Sequence, residues 1–161
     1  MRKAVARLEA LRSEAERLGR AAGSLGDYLD RGHPGADEAT RAMADMHRYQ
    51  REYEEALSDL SAALILVRAE EPEAVAEWVA WHRAWCQRVI AEGTPPSVPN
   101  EPISTQAVRL YVAKETMGLW EQVLHGQRDY VSINEYFMGD YSMAADAWLA
   151  EGAASSADAG N

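Results

Sequence analysis

Chemically useful residues are scarce in this chain, and each shortage excludes something. A single cysteine, Cys86, cannot form an intramolecular disulfide, so nothing calls for an oxidising compartment. No stretch approaches the roughly 20 uninterrupted apolar residues of a membrane-spanning helix. The most apolar run is only Ala62-Ala63-Leu64-Ile65-Leu66-Val67. The basic start, Met1-Arg2-Lys3, is not followed by an apolar stretch of signal-peptide length, because Arg7, Glu9 and Arg12 interrupt it. These absences together predict a cytoplasmic protein. Positive charge is also short, with 16 Lys and Arg against 26 Asp and Glu, a net charge of −10. Neutralising phosphates needs the opposite balance, so neither nucleic acid nor an anionic membrane surface is an expected partner.

Catalytic signatures are missing as well. There is no G-x-S-x-G, Walker A, G-x-G-x-x-G, H-E-x-x-H or paired C-x-x-C. The four histidines are His33, His47, His82 and His125, and none has Glu three residues before it. That excludes the pair of Glu-x-x-His motifs by which a helical bundle holds two metal ions. Cys86 falls in mid-helix, away from a helix N-terminus that would lower its pKa, and reads as a small buried hydrophobe. The expectation is a non-enzyme with no cofactor and no metal.

What the chain has is helical periodicity. Its 161 residues, 47% hydrophobic, suit one domain with a sizeable core. Leu8, Leu11, Ala15, Leu18, Ala22, Leu25 and Leu29 step by 3 and 4, a coiled-coil type of seam. Glu16 precedes Arg20 by four residues, the order of a surface ion pair. Gly19, Gly23 and Gly26 suggest a close helix approach or a kink. Gly32-His33-Pro34-Gly35 stops this helix, and a second seam follows at Ala39, Met43, Met46, Gln50, Tyr53, Leu57, Leu60, Leu64 and Val67. Two long helices joined by a tight turn predict an antiparallel hairpin over residues 3–69. Pro72 suits the first turn of a third helix, 72–92, with Val75, Trp78, His82, Trp85 and Val89 on its seam.

Four prolines between Pro95 and Pro102 predict an extended connector over 93–103. Ser104 fits an N-cap for a fourth helix, 104–125, with Val108, Tyr111, Leu119 and Val123 as its apolar residues. Ser132-Ile133-Asn134-Glu135 has the form of a capping box for a fifth helix, 132–150. Residues 1–153 thus read as a single all-α domain, a bundle of about five helices built on the N-terminal hairpin. Residues 154–161 read as a disordered tail.

Two features point towards function. Charge is uneven: residues 1–35 hold 7 basic and 5 acidic side chains, 36–92 hold 6 and 12, and 93–161 hold 3 and 9. The aromatic set is 5 Trp, 7 Tyr and 1 Phe, so nearly every ring carries a polar handle suited to half-buried or association surfaces. Trp81, turned away from the third seam, and Tyr136, Asp140 and Tyr141 in the last segment are the candidate partner-binding residues. Trp78, His82 and Trp85 are the candidate lining of a small pocket. The leading expectation is a non-catalytic acidic module that neutralises or chaperones a basic protein, of the immunity, inhibitor or secretion-chaperone type. One alternative is a structural protein that forms homo-oligomers through its seams, with Gln50 setting the register. Another is a helical bundle that binds a small molecule.

Overall fold

The computed structural model describes residues 2–93, 105–129 and 131. Among these residues every regular element is helical: α1 Lys3–Arg31, α2 Ala36–Glu70, α3 Pro72–Glu92 and α4 Thr105–Leu124. An all-α bundle is what the chain forms. Four helices are described instead of five, because the segment 132–150 lies outside the described residues. So do the proline-rich stretch from Thr94, Ser104 and residues 154–161.

The ends of the helices follow local chemistry. α1 closes at Gly32, whose N–H donates to the Tyr28 carbonyl, and the turn continues through His33 with φ 47°. α2 opens with Asp37 and Glu38 in its first turn, where the helix macrodipole favours negative charge. Glu71 alone separates α2 from α3, so the hairpin ends at Glu70, one residue beyond the expected 69. Pro72 occupies the first turn of α3, where its missing N–H leaves no helical bond unmade. α3 ends at Gly93, whose φ of 77° and ψ of −169° are readily adopted only without a Cβ.

α1 and α2 run antiparallel. Val5 and Leu8 pack in one core with Leu60, Leu64 and Val67, while Ala15 and Leu18 meet Ala56 nearer the turn. α3 and α4 close over the open end of the hairpin. Trp78, Val79, Trp85 and Val89 from α3 join Val112, Ala113, Trp120 and Val123 from α4 in the same core, which Val131 completes. Arg68 of α2 ties the pairs together by donating to the carbonyls of Val123 and Leu124 at the end of α4.

The seam of α2 is not the expected one. Met43 is 47% exposed and Gln50 is exposed, whereas Ala42, Ala56 and Ala63 are buried. The inward line runs through Ala42, Met46, Tyr49, Tyr53, Ala56, Leu60, Ala63, Leu64 and Val67, so it keeps the expected Met46, Tyr53, Leu60, Leu64 and Val67 and departs at Met43 and Gln50. Alanine on the line lets the two helices approach closely, and the larger Met43 and Leu57 flank it. Gln50 therefore takes no part in the seam between α1 and α2. Three other expectations are also corrected. Glu16 is fully buried, not a surface charge. In α4 Tyr111 is 51% exposed, and the inward line is Ala113, Thr116, Trp120 and Val123. At two glycines of α1 no close approach requires glycine: a Cβ on Gly23 would meet nothing within 4 Å, and one on Gly26 would make an ordinary contact of 3.7 Å with Met46.

Candidate functional site

α1 carries two buried faces. One is the apolar seam against α2. The other carries Glu9, Arg12 and Glu16, spaced 3 and 4 apart and each at most 8% exposed, with Glu9 reaching α3. Charges are rarely buried unless paired and hydrogen-bonded, and Glu9 is both. Its carboxylate accepts from Arg12, with Nη2 at 2.6 Å and Nε at 3.1 Å. It also accepts from Trp78 Nε1 at 2.9 Å and lies 2.7 Å from His82 Nε2.

The aromatic rings enclose this centre. His82 stacks on Trp120 with centroids 3.8 Å apart and planes 7° from parallel. Trp78 stands edge-on to both rings. Trp81 covers the remaining side of His82, at 4.5 Å and 78°.

Electrostatics sets the protonation states. Burial alone would raise the Glu9 carboxyl pKa, but the Arg12 guanidinium and the donors from His82 and Arg12 outweigh it and hold it well below the usual carboxylate range. Glu9 is ionised at neutral pH. For His82 burial dominates and lowers the pKa from 6.5 to about 4, with Arg12 adding to the depression and Glu9 opposing it. His82 is therefore neutral. An ionised carboxylate only accepts, so the His82 proton sits on Nε2 and points at Glu9. Burial likewise pushes the Cys86 thiol up, against its contact with Thr116 Oγ1 at 3.6 Å, and leaves it a protonated core group.

The candidate residues of the sequence divide three ways. Trp78 and His82 meet in the cluster just described, and Trp85 is buried in the core at 7% exposure. All three side chains are buried. Trp81 is half-buried beside His82. Tyr136, Asp140 and Tyr141 lie outside the described residues. Glu9, Arg12 and Trp120, central to the cluster, were not anticipated. A Glu and an Arg three apart on a helix look like an ordinary solvated pair, and only the arrival of Trp78 and His82 from α3 distinguishes them. No group of three or more His, Cys, Asp or Glu is gathered as metal ligands would be, among the described residues.

The other concentration of charge lies outside, on α2. Glu52, Glu54, Glu55 and Asp59 are all exposed, and Arg51, Glu54, Glu55, Ser58 and Asp59 line a shallow open groove. Among the described residues no helix is long and apolar enough to cross a membrane. No family model matches the chain, nor does any curated protein or solved structure.

Proposed function

We propose that this chain is a non-catalytic acidic helical module that binds a basic protein partner, as a neutralising or chaperoning protein does. The observation that carries the reading is the exposed surface of α2, where Glu52, Glu54, Glu55 and Asp59 outnumber the exposed Arg51 over about two helical turns. Such a field steers a positively charged partner into encounter and rejects acidic ones.

The buried cluster supports the same reading by what it lacks. Its carboxylate is already engaged by Arg12, Trp78 and His82, and its rings cover one another, so a substrate would have to displace core packing to reach them. The seams support homo-oligomerisation poorly, since Leu8, Leu60 and Leu64 are fully buried within one chain.

Capture from lysate at low and high salt, followed by mass spectrometry, tests the proposal. The expected result is a basic protein recovered at low salt and released at high salt, and recovered poorly by the variant with Glu54→Lys, Glu55→Lys and Asp59→Lys. Recovery of no basic protein, or of one indifferent to salt and to these substitutions, would overturn it.

A further inference from the structure

The outward face of α2 changes chemistry along its length. Glu52, Glu55, Asp59, Ala62 and Leu66 follow one another at steps of 3 and 4 and are all exposed, so they form one stripe about 21 Å long. Its first half carries three carboxylates, with the exposed Arg51 one turn before Glu55. Its second half is apolar: Leu66 is 52% exposed, and Ile65, about 100° further round the helix on the Ser61 side, is 63% exposed, so the two flank the exposed Ala62. The same helix buries Leu60 and Leu64 completely, so the exposure belongs to this face and not to a loosely packed helix end.

The apolar half also has a wall. Ser61 Oγ donates to the Asp129 carboxylate at 2.7 Å, and Arg68 reaches the carbonyls of Val123 and Leu124. Ile65 lies on α2 between Ser61 and Arg68, so the turn that follows α4 runs beside it. The face is thus a shelf bounded on one side, with carboxylates along its approach.

We infer that this shelf docks a basic amphipathic helix of the partner protein, with Lys or Arg set against Glu55 and Asp59 and apolar residues one to two turns further on covering Ile65 and Leu66. The inference rests on the proposed function and adds to it the surface used and the form of the partner. A helix suits the face because α2 offers ridges at 3 and 4 spacing and no open backbone for a strand to pair with. Charge selects a basic helix over a second copy of this chain. A second copy carries the same net charge of −10 and so offers no complement to the carboxylates along the approach.

The test uses the full chain and a fluorescent synthetic peptide of about 18 residues, helical, with Lys along one half of its face and Leu along the other. Fluorescence anisotropy is expected to show binding at low salt that weakens about tenfold or more at high salt. The variant with Glu55→Lys and Asp59→Lys, and separately Leu66→Asp, should each weaken it about tenfold. Glu115→Lys, an exposed reversal on α4, should leave it unchanged. All these positions are exposed, and far-ultraviolet circular dichroism verifies that each variant is folded. Absence of binding, or equal binding by every variant, would overturn the inference. So would a chain that sediments as a dimer and becomes monomeric with Leu66→Asp, since a second copy would then be the occupant. If a basic protein captured from lysate is retained equally by the Leu66→Asp and the Lys-substituted variants, the shelf is refuted while the functional reading stands. If no basic protein is captured, the functional reading itself fails.

Discussion

Glu9 is the residue on which the buried centre depends. It meets the donors of three side chains, and Arg12, 2% exposed, has no access to bulk water in which to relax if Glu9 is lost. Breaking a buried ion pair by removing one partner costs about 3–5 kcal/mol. Glu9→Gln, nearly unchanged in shape, is expected to lower the unfolding free energy by about that amount in urea. A loss under about 1 kcal/mol would mean that the pair is not a buried one. His82 makes a second expectation at the same scale. Its folded pKa is depressed, from 6.5 to about 4, so above pH 6.5 its contribution to stability is fully present. As the pH falls towards 4 the unfolded chain takes up a proton that the folded chain refuses, and stability declines. Below that range Glu9, also depressed, extends the loss. His82→Phe keeps a ring against Trp120 but removes the donor to Glu9. It should cost about 1–3 kcal/mol at neutral pH and flatten the stability profile between pH 6.5 and 4. A profile as steep as that of the unaltered chain would refute the assignment.

At the scale of the element, much of the architecture was legible. Pro72, the Gly32–Gly35 turn and the leucine seam of α1 locate three helices to within a residue or so, because capping and periodicity act locally. Which face of α2 turns inward was not legible. Met43 and Gln50 fit the heptad steps as well as Ala42 and Tyr49 do, and the choice is made by how closely an alanine line lets α1 approach. Glu9 and Arg12 were hidden for a related reason: their burial is created by α3 and α4, about seventy or more residues away. The corrected seam has consequences that stability measurements can check. Ala56→Leu puts extra volume where Ala56 packs against Ala15 and Leu18 and should destabilise by about 1–3 kcal/mol. Gln50→Leu, on the expected but incorrect seam, should change stability by no more than about 0.5 kcal/mol. Gly23→Ala meets nothing within 4 Å and should stabilise by about 0.5–1 kcal/mol. Destabilisation by Gly23→Ala would mean that α1 bends there.

At the scale of the molecule, charge is partitioned between interior and surface. Inside, Glu9, Arg12 and Glu16 are buried along one face of α1, with Glu9 bonded to Arg12 and Trp78. Outside, α2 collects carboxylates over about two turns and then exposes Ile65 and Leu66. The net charge of −10 is therefore not evenly spread, and its densest exposed part on the hairpin borders its exposed aliphatic pair.

This division supplies the most direct measurement. A captured basic partner is titrated against two variants, His82→Phe and the double substitution Glu55→Lys with Asp59→Lys, each first shown to be folded. Binding is expected to survive His82→Phe within about twofold and to fall about tenfold or more on charge reversal. Loss of binding in folded His82→Phe, with binding intact after charge reversal, would place the working site in the aromatic centre and contradict the account.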